Sequence, residues 1–201
     1  MQRMNAKYVV PVALVASLII GAAMAQAGSL KIDAQHSSVT FQVTHLMFTK
    51  VDGQFREFEG SFDLDEDTNT ISNVVVTIQT ASLDTNVEAR DKDLRSKRFF
   101  NVEKYPTLTF KSTAPTKLNG KKGKIKGTLT MHGVEKEVVL DAELLGKGKD
   151  PWGNLKYGFQ ATTVISRKDF GMKWNEALEA GGVLVGDEIT VKINLEAAPA
   201  S

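Results

Sequence analysis

"HSSVTFQVTH", residues 36–45, sets Val39, Phe41 and Val43 in one row against Ser38, Thr40, Gln42 and Thr44 in the other. A period of two with one apolar row is the pattern of a half-buried strand. The period recurs along the chain. In "KIKGTLTM" (124–131) Ile125, Leu129 and Met131 alternate with Lys124, Lys126, Thr128 and Thr130. Val138, Leu140, Ala142 and Leu144 face Glu137, Asp141 and Glu143, and Ile189, Val191, Ile193 and Leu195 face Thr190, Lys192, Asn194 and Glu196. Weaker alternation in "FEGSFDLD", "NVVVTIQT", "LTFKST" and "GFQATTVI" brings the count to about eight strands. The turn signals "DTNT", "LNGKKG", "HGVE" and "KGKDPWGN" separate them. This even spacing predicts an all-β antiparallel meander, either a sandwich or an up-and-down barrel, and periodicity does not separate the two. The outward row carries Lys, Glu, Asp and Thr, which excludes a transmembrane barrel, whose outer band must be apolar.

The N-terminus reads as a leader. Residues 1–7 hold Arg3 and Lys7 with no acid, an apolar run follows from Tyr8 to Ala22, and "AAMAQAGS" closes it on small residues. That is the build of a secretory signal peptide over residues 1–27, with cleavage after Ala25 or after Ala27. An uncleaved anchor would need the stretch from Tyr8 to Ala25 to span a bilayer, which it barely could, interrupted by Pro11 and Gly21. No cysteine follows the run, so a lipid-anchored lipoprotein is excluded. Of the 25 basic residues, Arg3 and Lys7 leave with the leader, so 23 remain against 24 acidic ones. Such a balance shows no nucleic-acid footprint. With zero cysteines and about 175 residues, the exported chain is expected to form one domain, residues 28–201, whose core needs no disulfide.

One stretch breaks the strand pattern: "RDKDLRSKRFFNVEKYP", residues 90–106. Ahead of it, Thr85 and Glu88 have the spacing of a capping box. Glu88/Lys92, Asp91/Arg95 and Asp93/Lys97 stand at i,i+4 with the acid first, the stabilising order. Residues 86–98 are therefore predicted to form a short helix with a salt-laced outer face. Val87, Arg90, Asp91 and Leu94 fall on its narrow inner side. Phe99 and Phe100 require burial, and Pro106 ends any helix ahead of the strand "TLTF". The helix with its aromatic anchor would plug one end of the sheet. Arg90 on the inner side must be paired or meet a polar ligand; a clamp onto a carboxylate is the favoured reading, contact with a ligand the other.

"SRKDFGMKWN" (166–175) is the second dense block. Gly171 permits a turn there, and Met172 and Trp174 supply the soft apolar surface that lines lipid sites. The plainer reading is a corner loop stapled by Phe170 and Trp174. Catalytic constellations are thin. His36 and His132 fall on outward rows without metal-ligand company, and His45 continues the inward row of Phe41 and Val43 to one end of the interior. Small inward residues such as Gly127 and Ala142 leave room among the large ones, yet a packed core and a ligand cavity give the same pattern.

Taken in order, "IDAQHSSVTFQVTH", "VDGQFREFEGSFDLD", "SLDTNVEARDKDLRSKRFFNVEKYPTLTFKST", "KGTLTMHGVEKEV" and "ISRKDFGMKWN" resemble the YceI family of periplasmic proteins, over residues 30 to 195. The resemblance implies a lipocalin-like, eight-stranded antiparallel β-barrel, closed at one end by a helix. Its elongated apolar cavity would hold an isoprenoid or other long-chain lipid. The ligand-contacting residues are then expected to be Phe41, Val43, His45, Arg90, Leu94, Phe99, Phe110, Leu129, Met131, Leu140, Arg167, Phe170, Met172, Trp174, Val191 and Ile193. The expected function is binding, transport or sequestration of a quinone or polyprenyl species in the periplasm. No catalytic residue, metal or required cofactor is expected, and after leader removal the protein is not an integral membrane protein. Homodimerisation is left open. An enzyme acting on such a lipid and a structural or stress protein with a filled core are the alternatives. The leader makes a direct prediction: N-terminal sequencing of the exported protein will give Gln26 or Gly28, and membrane-bound protein retaining Met1 would refute it.

Overall fold

A computed structural model describes residues 28–200; the leader read in residues 1–27 lies outside the described residues. The strands are β1 (Gly28–Ile32), β2 (Ser38–His45), β3 (Thr49–Phe55), β4 (Phe58–Asp65), β5 (Thr70–Gln79), β6 (Leu83–Asp84), β7 (Thr107–Ser112) and β8 (Thr116–Lys117), then β9 (Lys122–Met131), β10 (Val134–Lys149), β11 (Leu155–Ser166) and β12 (Val185–Pro199). The helix α1 (Glu88–Arg95) lies between β6 and β7. All pairings are antiparallel, and they group the strands into eight staves. β1 and β2 form the first, β3 and β4 the second, β5 and β6 the third, and β7 and β8 the fourth. β9 to β12 are continuous staves. The ring closes where β12 pairs with both halves of the first stave, Ala197–Pro199 on β1 and Val185–Asn194 on β2. The result is a closed eight-stranded up-and-down barrel, not a sandwich.

Each alternating segment in the sequence marks one stave. The remaining strands β1, β3, β6 and β8 are the halves that periodicity does not register, because the early staves bend. The first is broken by a 3-10 turn at Ala34–His36, capped by Asp33, whose carboxylate accepts from the Gln35 amide at 3.1 Å. This break is pinned from outside. His36 Nδ1 lies 2.9 Å from Asp33 Oδ2, while Lys156 Nζ lies 3.1 Å from the same oxygen and 2.9 Å from Glu196 Oε1. Hydrogen bonds from His36 and Lys156 hold the Asp33 carboxyl down to about 2, and the Asp33 carboxylate raises His36. The sequence reading gave His36 no metal-ligand company; Asp33, three positions earlier, and Glu196, 160 positions away in the chain and brought alongside by the β12 register, both stand beside it. With the Lys156 ammonium between the two carboxylates, the cluster is an ion-pair network.

The helix is shorter than predicted, and its first turn is held differently. Val87 is the N-cap, without a side-chain cap. Thr85 serves no capping box: its amide (2.9 Å) and its hydroxyl (2.5 Å) both donate to Asp91 Oδ1. The predicted i,i+4 ion pairs do not form either. Arg95 donates instead to the carbonyls of Ala81 and Leu83, and Asp93 faces Arg98 at 3.7 Å. Main-chain acceptors at the wall outcompete neighbours that would be solvated on the helix surface, where such pairs add little. Phe99 is buried edge-on against Trp174 (5.2 Å), and Phe100 packs at 5.8 Å on Phe55. The helix and its aromatic anchor therefore sit at the barrel end formed by the β2–β3, β9–β10 and β11–β12 connections. Among the described residues no helix is long and apolar enough to cross a membrane.

Gly127 does not leave room, as its size suggests. A Cβ there would meet the Phe110 ring at 2.3 Å and the Lys111 carbonyl oxygen at 2.6 Å, so the ring already fills the space. Gly127→Ala is expected to lower stability by about 1–3 kcal/mol, whereas Gly146→Ala, with nothing within 4 Å, should change it by less than about 0.5 kcal/mol. Denaturant titration of the two variants is the check; equal stability would show the ring is free to move aside.

Candidate ligand-binding site

The inward rows enclose a cavity of about 380 Å³ running along the barrel. One end is blind. Phe62 and Phe159 meet edge to face at 5.1 Å, and Ile71, Ile125 and Ala142 complete that part of the lining, all buried. Leu30, Leu64 and Leu118, buried in the same core, seal it from solvent. The middle is a belt of Phe41, Val43, Val76, Ile78, Phe110, Leu129, Leu140, Val191 and Ile193. At the helix end the lining turns polar, with His45, Thr85, Arg90, Asp93, Arg167 and Trp174 among Leu94, Phe99, Phe100, Met172 and Leu184. The side chain of Asp93 both lines the cavity and is 42% exposed, which places the mouth beside α1.

Every residue expected to touch ligand lines this cavity except Phe170. That ring is 2% exposed and lies in the core at the 3-10 turn Arg167–Phe170, where it supports the corner outside the cavity lining. Its carbonyl lies 3.1 Å from His132 Nδ1, so His132, expected on an outward row, instead faces the corner. Tyr105 covers its ring at 4.7 Å.

Arg167 is the hub of the mouth. Its guanidinium donates to the carbonyls of Met172 (2.7 Å), Trp174 (2.8 Å), Gly186 (2.9 Å) and Val185 (3.3 Å), and to Asp187 Oδ1 at 3.1 Å. Burial lowers its pKa from the usual arginine value, and Asp187 opposes that shift. With its donors so engaged, Arg167 ties the loop 171–184, through Met172 and Trp174, to the start of β12 at the barrel end. Arg98 lies 4.2 Å above the Trp174 ring and fixes it from the solvent side.

Arg90 faces the cavity, as its helical position implies, but the expected clamp onto a carboxylate is absent. Nε donates to Thr85 Oγ1 and Nη2 to the Thr85 carbonyl, each at 2.7 Å. Asp93, the one acid it could reach on the helix, turns toward Arg98. Thr85 is a site residue the sequence hid, because its spacing to Glu88 suggested capping. Phe55 and Phe58 were hidden as well. They stand three apart across the kink at Arg56–Glu57 and so break the period of two, yet both line the cavity.

The fold and site now stand beside known proteins. The YceI-like domain model matches residues 30–197. A UPF0312 protein of Photorhabdus laumondii is 47% identical over 159 residues, 78% of this chain and 82% of that protein. Protein YceI of Escherichia coli O157:H7 is 46% identical over 160 residues, 79% and 83% of the two chains. Among solved structures, the Campylobacter jejuni YceI protein superposes with a TM-score of 0.68 at 34% identity, over 79% of this chain and 90% of that one. A polyisoprenoid binding domain from Saccharophagus degradans shares the fold, with a TM-score of 0.60 at 15% identity over 87% of this chain and 100% of that one. Matched along nearly all of its described length, the chain belongs to the YceI family.

Proposed function

We propose that this protein binds a single long isoprenoid lipid, tail first, and carries or sequesters it in the periplasm. The observation that carries the reading is the shape of the cavity: mostly apolar along its length, blind at the Phe62–Phe159 end, with its charged side chains, Arg90, Asp93 and Arg167, gathered at the mouth. Its volume of about 380 Å³ lies within the range of small-molecule sites, about 300–1,000 Å³. Each methylene taken from water into such a lining contributes about 0.8 kcal/mol, so a chain gains affinity with length until it meets the blind end. The polyisoprenoid binding domain of S. degradans, with the same fold, supports an isoprenoid over other chains. The leader read in residues 1–27 supports export. Binding without catalysis is the simplest use of this lining, in which Asp93 is the one carboxylate among the described residues.

Native mass spectrometry of protein purified from its own periplasm, with lipid extraction, is expected to show one isoprenoid per barrel; protein uniformly free of lipid, and unable to take up added isoprenoid, would overturn the proposal. The inward rows give a second test. Leu129→Glu and Ile193→Lys put charge into the apolar belt and should abolish lipid retention or folding. Lys126→Ala and Glu143→Ala, on the outward face, should change stability by less than about 0.5 kcal/mol. Unchanged lipid content and melting temperature in both inward variants would show that the cavity is not the binding site.

A further inference from the structure

The β2–β3 hairpin at the mouth carries apolar side chains outward: Phe48 is 78% exposed and Met47 57%. Exposed apolar residues scattered singly are ordinary on a protein surface, but this pair stands in a turn whose backbone works against it. Leu46 and Met47 have φ of 52° and 70°, two left-handed residues in succession. Tight hairpins fill that pattern with Asn-Gly or Asp-Gly, because bulky side chains resist it. Elsewhere the chain follows the rule: among the described residues the other non-glycine positions of positive φ are Asn69, Asn73, Asn86, Asn101 and His132. The tip is also braced. The Leu46 amide donates to the Leu184 carbonyl at 2.9 Å, and Met47 lies so close to Gly182 that a Cβ there would stand 2.9 Å from its Cγ. His45 and Leu184 line the cavity, whereas Met47 and Phe48 do not. A held apolar tip therefore projects beside the mouth without serving the interior.

Its size and its surroundings say what it meets. Two such side chains offer on the order of 300 Å², against about 800 Å² per partner in a stable protein interface. A bilayer asks for neither that area nor a matching shape, since its surface layer takes in a small apolar wedge. Charge gives no other partner. Lys50 beside the tip and Lys173 in the loop 171–184 offset Glu176 and Glu179 of the same loop, so neither sign is in surplus there. Trp152, 85% exposed, lies at the β10–β11 hairpin on the opposite end of the barrel, and the two tips cannot rest on one flat surface.

We infer that the Met47 and Phe48 tip docks the barrel on a phospholipid bilayer by apolar insertion, setting the mouth against the layer from which a lipid enters. This rests on the lipid-binding reading above and names the surface with which that site exchanges its ligand. Surface plasmon resonance over captured phosphatidylcholine vesicles is expected to show wild-type binding that raised salt does not weaken. Met47→Asn combined with Phe48→Ser removes the apolar tip and suits the turn, so the melting temperature should not fall while affinity for the vesicles drops at least about tenfold. Trp152→Ser should bind as wild type does. Geranylgeraniol added from ethanol should load wild type and tip variant alike, whereas loading from phosphatidylcholine vesicles that contain it should be about tenfold slower in the variant. Absence of wild-type binding, binding that requires anionic phosphatidylglycerol, or binding lost in Trp152→Ser and kept in the tip variant would overturn the docking inference. So would a dimer in sedimentation velocity that the tip variant abolishes, which would assign the tip to a second copy of the chain. Failure of wild type to load geranylgeraniol from ethanol would overturn the lipid-binding reading instead, and vesicle binding would still decide the docking.

Discussion

The ladder along β12 closes the barrel, and the cavity exists because of that closure. A meander of eight staves has two edges, and each edge would expose a row of unpaired amides and carbonyls. β12 runs from Val185 to Pro199, long enough to pair with β11 on one side and with both β1 and β2 on the other. The first stave can then bend at Ala34–His36 without opening a seam, because its two halves share one partner. The Asp33, His36, Lys156 and Glu196 network sits at that bend and ties the stave to β11 and β12 from outside. Closure places every inward side chain against another wall, which an open sheet would not do.

Eight strands leave an interior that side chains can fill or that one slim ligand can occupy. Two phenylalanine and glycine pairs help decide the outcome. Phe41 pairs with Gly53 across β2 and β3, and a Cβ at Gly53 would lie 2.2 Å from its ring. Phe110 lies over Gly127 in the same way. Each ring rests against the neighbouring strand where a side chain would otherwise stand, so the largest side chains of the belt become part of the wall and the axis stays open. The blind end uses the other solution, since Phe62 and Phe159 meet each other across the barrel.

Much of this was legible in the sequence because alternation reports burial of one face. Eight alternating segments gave eight staves, and the inward rows named most of the cavity lining. What periodicity could not give was closure, since a sandwich buries one row per strand just as a barrel does; the family resemblance supplied that step. Positions where the chain leaves its period were lost, Phe55 and Phe58 at a kink and Thr85 ahead of the helix. Charge partners were the least legible. Lys156 with Glu196, and Arg95 with the carbonyls of Ala81 and Leu83, depend on register and on main-chain groups that no local spacing encodes. Phe170 shows the converse: an aromatic in a loop rich in apolar surface is as readily a structural staple as a ligand contact.

The two ends of the barrel are held by different kinds of bond. At the blind end the lining is continuous with the core, and opening it would expose Leu30, Leu64 and Leu118 along with the paired strands that carry them. At the mouth, α1 and the loop 171–184 are tied down mainly by side chains donating to carbonyls, from Arg90, Arg95 and Arg167, together with the Phe99 and Trp174 contact. Such ties can break and re-form without disturbing the strand ladder, and segments held this way belong to the low-stability end of a fold. The part of the cavity wall held by such ties is the helix end, where the Asp93 side chain both lines the cavity and is exposed.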